Sequence, residues 1–460
     1  MKPTTTLVLL TCLGSSIVVL PAISEEVRTA KYQPAWESLD QRPIPAWFDN
    51  AKFGIFVVWG IYSVPAWAPK GNYAEWYGNW MNDENHLVHW FHEKTYGKDF
   101  KYPDFVPMFT AEMFDPEQWA DLFAQSGAQY VVLTANYHDG FCLWPSSYSW
   151  NWNSVDLNPH RDLVGELTAA VRSRGLTMGC YYSLYEWYNP LYRDNLPDYV
   201  EKHFHPQFKE LVERYQPWII FADGEWEQTS EAWRSPKLLA WLFNESAVRD
   251  TVVVNDRWGK DTRGVHGGYY TSEYGYKGRD AQPGKAVQRH KWEENQGIGA
   301  SYGFNRLEGP QDYKTSTQLI HMLADIVSQG GNLLLDVGPT ADGRIPVIMQ
   351  ERLLAIGEWL RVNGEAIYGT RPWTHTGEGD SIRYTTKKGR VYAISLRWPA
   401  GELLLEKPQP SEQTSVRLLG WDQPLSWKQE GGRMRIAVPP LRVSDFPTRH
   451  AYVFELSNLR

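Results

Sequence analysis

The sequence predicts a (β/α) barrel that carries the chemistry, followed by a small antiparallel β-sandwich. Three observations predict it. Six short β-branched or aromatic runs alternate with amphipathic helical segments between Phe53 and Pro339. From Arg371 onward the helical periodicity stops, and short alternating stretches punctuated by Gly, Pro and Asp take over. The length, 460 residues, suits a barrel of about 250 residues or more plus one smaller domain.

In chain order, residues 1–24 read as a secretory signal peptide. Lys2 supplies the positive start, the apolar stretch Leu7–Leu20 is interrupted by Thr11, Gly14, Ser15 and Ser16, and small residues follow near Ala22 and Ser24. That stretch is too short to span a bilayer. The expected destination is therefore secreted or periplasmic. Cys12 falls in this leader, which leaves Cys142 and Cys180; two cysteines outside any CxxC spacing make neither a disulfide framework nor a zinc site.

Residues 25–370 form the expected barrel domain, with 25–45 as an extended lead-in. The strand candidates are Phe53–Gly60, Tyr130–Phe141, Thr177–Trp187, Trp218–Trp226, Thr251–Gly259 and Asn332–Pro339. Between them, Asp115 caps Pro116–Ser126, and Asp162–Arg174, Tyr199–Tyr215, Ser235–Leu242, Ser316–Ser328 and Ile348–Val362 show helical periodicity. Near-continuous apolar strands separated by helices imply a parallel sheet covered by helices, and six or more such units favour a closed barrel. Residues 371–460 contain IRYTT, RVYAISLRW, SVRLLGW, MRIAVP and HAYVFEL, the pattern of a β-sandwich.

Composition narrows the partners. The formal net charge of −8 argues against nucleic acid or an anionic membrane as a partner. No later segment offers a membrane-spanning apolar run. The 23 Trp, 26 Tyr and 17 Phe make 14% of the chain aromatic, and flat rings with a polar edge suit stacking on sugars. An oligosaccharide or glycoconjugate is the expected substrate, and the sequence is compatible with a homo-oligomer. The 12 His are scattered without an HExxH motif, so neither a metal nor another cofactor is expected.

The C-terminal ends of barrel strands build the active site. Reading those ends gives Trp59; Tyr137, His138 and Asp139; Tyr182 and Glu186; Asp223 and Glu225; and Asn255 and Arg257. Loops add Glu75–Trp76 and His290–Glu293. Acids, aromatics and an arginine without metal spacing or a phosphate-binding glycine loop suggest glycoside hydrolysis by two carboxylates. A dead barrel that only binds carbohydrate would keep the aromatics and lose the acids.

Several long segments carry a resemblance. FGIFVVWGIYSVPAW (53–67), AEWY (74–77), SYSWNWNSVDLNPHRDLVGEL (147–167), FADGEWE (221–227), VVVNDRWG (252–259), HGGYY (266–270), HKWE (290–293), GGNLLLDVGPTADGRIP (330–346) and RLLAIGEWLRVNGEAIYGT (352–370) resemble the α-L-fucosidases of glycoside hydrolase family 29. The resemblance implies an irregular (β/α)8 barrel followed by a β-sandwich, and a retaining exo-α-L-glycosidase acting through a glycosyl-enzyme. By its motifs Asp223 would be the nucleophile and Glu293, in HKWE, the acid/base. Glu75 and Trp76 would bind ring hydroxyls, with His138 the second of a histidine pair. Tyr182 would lie beside the sugar ring, Arg257 near the ring or nucleophile, and Phe56 in the apolar pocket for the C5 substituent.

Two positions depart from that pattern. Members usually have His before the Trp-Gly of the first strand, where this chain has Val58, and two consecutive histidines at the second strand's end, where it has Tyr137–His138. Valine makes no side-chain hydrogen bond. The lost histidine resembles the one that reads the axial O4 of L-fucose, and an unpaired buried hydroxyl costs about 1–3 kcal/mol. An α-L-glucoside, with equatorial O4 and a hydroxylated C6, is therefore an alternative substrate to a fucoside; an α-L-galactoside explains Val58 less well.

Overall fold

The computed structural model describes residues 31–275, 290–399, 401–442, 445, 446 and 448–460. The leader expected at 1–24, with Cys12, lies outside the described residues. Eight parallel strands form one curled sheet: β1 Phe53–Val57, β2 Tyr130–Thr134, β3 Thr177–Ser183, β4 Ile219–Asp223, β5 Val253–Val254, β6 Tyr270–Glu273, β7 Trp292–Gly297 and β8 Asn332–Val337. Their order, β5-β4-β3-β2-β1-β8-β7-β6, is that of a (β/α) barrel opened between β5 and β6. One backbone bond spans the opening, from Tyr269 N–H to Val254 O at 3.1 Å. Gly268 makes that approach feasible: a Cβ there would stand 2.5 Å from Val254 O.

The strand period of two divides the side chains cleanly. Phe53, Ile55 and Val57 of β1, Met178, Cys180 and Tyr182 of β3, and Ile220 and Ala222 of β4 pack outward against the helices. Phe56, Val58, Tyr130, Val132, Tyr181, Ile219 and Phe221 fill the barrel interior. The amphipathic helices Pro116–Gln125, Leu163–Ser173, His205–Tyr215, Ser235–Asn244, Ser316–Ser328 and Val347–Asn363 coincide with the segments the sequence marks. The Asp115 carboxylate accepts from the N–H groups of Glu117 and Gln118, capping the first. Cys142 and Cys180 are buried free thiols.

The sequence gives no sign of β6 and β7, which its patterning leaves as loops. Their strands read YTSE and WEENQG. Polar side chains face both ways, so neither an alternating nor a continuous apolar run marks them. Chain neighbours secure them instead. β6 pairs with β7 from Tyr270↔Trp292 to Glu273↔Asn295, and β7 pairs with β8 from Glu293↔Asn332 to Gly297↔Asp336.

After the helix ending at Asn363, β9 Arg371–Glu378, β10 Ile382–Lys387, β11 Arg390–Ser395, β12 Glu402–Leu405, β13 Pro410–Leu418, β14 Trp427–Glu430, β15 Arg433–Ala437 and β16 Tyr452–Leu459 form two antiparallel sheets, β13-β16-β11-β10-β9 and β12-β15-β14. Tyr384, Leu405, Met434, Ile436 and Phe454 join their facing sides in one buried core, as a sandwich requires.

Candidate active site

A cavity of about 320 Å³ opens at the C-terminal ends of the barrel strands. Asp223 stands at its base, at the last position of β4. Its Oδ1 accepts from Arg257 Nη1 at 2.7 Å and its Oδ2 from Tyr181 Oη at 2.8 Å. His138 Nε2 lies 3.6 Å from Oδ2. Burial alone would push the Asp223 pKa up, but the Arg257 guanidinium beside it holds it below the ordinary carboxylate value. Asn255 fixes the strand end: its side-chain amide bonds Ala222 O at 2.8 Å and accepts from Ala222 N at 3.2 Å, extending the short β4–β5 ladder.

Arg257 joins two acids. Beyond Asp223, its Nη2 reaches Glu273 Oε2 at 3.3 Å and its Nε donates to Thr271 Oγ1 at 3.0 Å. Glu273 ends β6, lines the cavity, and accepts from Tyr73 Oη at 3.3 Å. The sequence reading missed it. The only signal was its place three residues beyond HGGYY, on a strand that polar residues conceal.

Glu293 does not reach the cavity. It faces the barrel interior opposite Thr271 in the β6–β7 register, two residues below the Glu273↔Asn295 pair, or about 6.6 Å lower at strand rise. It is fully buried, and its Oε2 accepts from Tyr130 Oη at 2.5 Å. Gly54 leaves the space that the Tyr130 ring fills: a Cβ there would stand 2.2 Å from Cε2. Burial pushes the Glu293 pKa up to about 7, yet no substrate oxygen can approach it. The expectation that Glu293 is the acid/base is therefore corrected. Adjacent Glu294 faces outward and is held by Ser272, Gly275 and Gln296.

Tyr182 is corrected for the same reason of parity. It points out of the barrel, where its Oη donates to Gln207 Oε1 at 2.7 Å. Its neighbour Tyr181 points in, lines the cavity and touches Asp223.

The other expected site residues line the cavity together: Phe56, Val58, Glu75, Trp76, Tyr137 and His138. Glu75 lies on the short turn Ala74–Trp76, where Gly303 N–H and Ser301 Oγ donate to its Oε2 at 2.8 and 3.1 Å. Burial outweighs those donors and pushes its pKa up to about 7. His138 is buried, and burial drives its pKa down to about 4, so the imidazole is neutral at pH 7; Nδ1 lies 2.7 Å from Ser183 Oγ. The Tyr137 ring packs 4.2 Å from His138 and 5.9 Å from Tyr181 between centroids. Tyr73, Asn295, Tyr302, Trp80 and Trp226 complete the lining.

Two further strand-end acids, Asp139 and Glu186, are braces. Tyr102 Oη donates to Asp139 at 2.7 Å, and Glu186 pairs with His203 at 2.9 Å. His205, two residues on, turns instead to Trp233 O at 3.0 Å. Among the described residues no three His, Cys, Asp or Glu side chains converge as metal ligands, and no helix is long and apolar enough to cross a membrane.

Similarity to known proteins agrees with this geometry. The family model described as Alpha-L-fucosidase matches residues 19–365, and that of the Alpha-L-fucosidase C-terminal domain matches 378–457. The tissue alpha-L-fucosidase of Homo sapiens is 44% identical over 453 residues, covering 95% of each chain. The alpha-L-fucosidase of Branchiostoma floridae is 45% identical over 441 residues, covering 93% of this chain and 96% of its own. The crystal structure of Thermotoga maritima alpha-fucosidase in complex with fucose superposes with a TM-score of 0.79 at 39% identity, covering 92% of this chain and all of that one. With its barrel, its sandwich and its acid-bearing cavity, this chain belongs to the α-L-fucosidase family, glycoside hydrolase family 29.

Proposed function

We propose that the protein hydrolyses terminal α-L-fucosides with retention of configuration, Asp223 acting as nucleophile and Glu273 as acid/base. The observation that carries this reading is the Asp223–Arg257–Glu273 bridge across one cavity. Retention calls for carboxyl groups about 5–5.5 Å apart, and the one guanidinium bonded to both draws Asp223 and Glu273 into the same cavity. The two are held unequally. Asp223 sits at 2.7 Å, a full charge-assisted bond, and stays ionised for attack. Glu273 sits at 3.3 Å with its side chain 26% exposed, a looser contact that leaves it open to the cavity and solvent.

Each step then has a group. Asp223 attacks the anomeric carbon while Glu273 protonates the departing oxygen; Glu273 next takes a proton from the water that releases the sugar. Glu75, Trp76 and His138 hold ring hydroxyls, Phe56 contacts the C5 substituent, and Tyr181 steadies Asp223. Asp223→Gly should abolish turnover of nitrophenyl α-L-fucoside. Azide rescue should give the β-L-azide in that variant and the α-L-azide in Glu273→Ala. An α-L-azide from Asp223→Gly would overturn the assignment.

The comparisons favour a fucoside over the α-L-glucoside alternative. Val58 and Tyr137 do line the cavity where hydroxyl-reading groups were expected, which keeps that second reading open to assay. Parallel hydrolysis of nitrophenyl α-L-fucoside, α-L-glucoside and α-L-galactoside decides it; a dominant glucosidase rate would replace the fucoside reading. The N-terminal pattern further supports export, which N-terminal sequencing of the secreted or periplasmic protein tests.

A further inference from the structure

We infer that Glu225 is a positioning residue of the reaction centre: it holds Arg263 beside Glu273, where the guanidinium stabilises the charge that appears on Glu273 as its proton leaves. This role rests on Glu273 being the acid/base. Glu225 follows Asp223 by two residues, just past the end of β4. Gly224 between them has φ 79°, a left-handed turn that glycine takes without strain. Glu225 Oε1 lies 3.6 Å from Arg263 Nε, and Arg263 Nη2 lies 3.8 Å from Glu273 Oε2. One guanidinium thus faces both acids.

Glu225 cannot act on a substrate itself. Its side chain is only 2% exposed, and it is absent from the cavity lining. No protein donor meets its Oε2. Burying a carboxyl with one oxygen unbonded costs stability, and such costs concentrate where a group serves the site. The contact with Arg263 is what this burial secures.

Arg263 is the opposite case, with its side chain 42% exposed. Its backbone is preset. The next residue, Gly264, donates its N–H to Asp256 Oδ2 at 2.9 Å. Asp256 Oδ1 accepts from Thr271 N–H at 3.1 Å and from Thr271 Oγ1 at 2.7 Å. The turn that carries Arg263 is therefore stapled to β6, the strand that ends in Glu273. A long side chain on a fixed turn must still be aimed, and Glu225 is the buried acid that aims it.

The chemistry follows from where charge develops. As Glu273 gives up its proton, negative charge grows on its carboxyl. Its Oε2 then lies between Arg257 Nη2 at 3.3 Å and Arg263 Nη2 at 3.8 Å. Cations already in place need no rearrangement at that moment. The grip of Glu225 depends on its own charge. Burial, then the charge of Asp223, raises its pKa to about 7, against the pull of Arg257 and Arg263. Below that pH it offers Arg263 a neutral acceptor; above it, a carboxylate.

The test compares methyl α-L-fucoside, whose departing oxygen needs a proton, with α-L-fucosyl fluoride, whose leaving group needs none. The readout is the ratio of kcat/KM, methyl fucoside over fluoride. At pH 8 Arg263→Ala and Glu225→Gln should each lower it about fivefold. The double variant should fall no further than Arg263→Ala alone. At pH 5, where Glu225 already holds its proton, Glu225→Gln should match wild type. A Glu225→Gln ratio that stands in the same relation to wild type at both pH values overturns the positioning role, as do losses that multiply in the double variant. Glu273→Ala separates the two assignments. If it lowers the ratio and Arg263→Ala does not, only the role of Glu225 and Arg263 falls. If it slows both substrates alike, the acid/base assignment falls, and the anchor with it.

Discussion

Glu273 and Glu293 are glutamates on neighbouring strands, both pointing into one barrel, two register positions apart. The lower one has the pKa usually sought in a catalytic acid, about 7, raised by burial. It is also sealed beneath the floor, bonded to Tyr130 and near Lys291. The upper one is partly exposed, shares Arg257 with Asp223 and faces the cavity. The difference teaches that a perturbed carboxyl marks burial first. Catalysis adds the requirement that a substrate oxygen can reach the group.

The strongest way to break this comparison is to remove each acid in turn. Glu273→Ala should lower kcat/KM about 10²–10⁴-fold on a substrate with a poor leaving group and far less on α-L-fucosyl fluoride, whose leaving group needs no proton. Glu293→Gln should leave kcat within about threefold, since the amide can still accept from Tyr130. If Glu293→Gln proves the more damaging, the floor and the mouth have been confused.

The inner and outer tyrosines of β3 sharpen the same point at smaller scale. Tyr181→Phe removes a hydrogen bond to Asp223 worth about 1–1.5 kcal/mol, so kcat should drop about tenfold. Tyr182→Phe should leave kcat unchanged and cost about 1 kcal/mol of stability through the orphaned Gln207, readable by denaturant titration. Equal kinetic effects would contradict the parity of the strand.

A last effect is in pH-dependent stability. The folded-state pKa of Glu293 lies above its unfolded value, near 4.5, so the fold binds its proton more tightly than the unfolded chain does. Its contribution is fully present below the unfolded pKa and is lost as pH rises through about 7. Glutamine cannot ionise, so the melting temperature of Glu293→Gln should gain on wild type between pH 5 and pH 8. A gap that stays constant across that range would show Glu293 unshifted.

Most of the scaffold was legible because six strands are buried on both faces and read as apolar runs. β6 and β7 were illegible for the reason that matters functionally: Thr271, Glu273 and Asn295 exchange apolar packing for polar contacts at the site. Asp223, Arg257, Glu75 and His138 were legible because each ends or follows a segment of strong pattern. Tyr182 was misplaced by a single residue, and on a strand one residue reverses the face. Glu293 was misplaced by motif alone, since the sequence shows neither the register of β6 nor the depth at which β7 starts.

The opening between β5 and β6 acts as a caliper for the whole reaction centre. Its two jaws carry Arg257, just past β5, and Glu273, at the tip of β6, and they rest against each other through Gly268 and Val254 O. The reach from Arg257 to Glu273 is thereby gauged by the thickness of a glycine hydrogen. A single methyl at position 268 would wedge the jaws and spread two acids that it never touches.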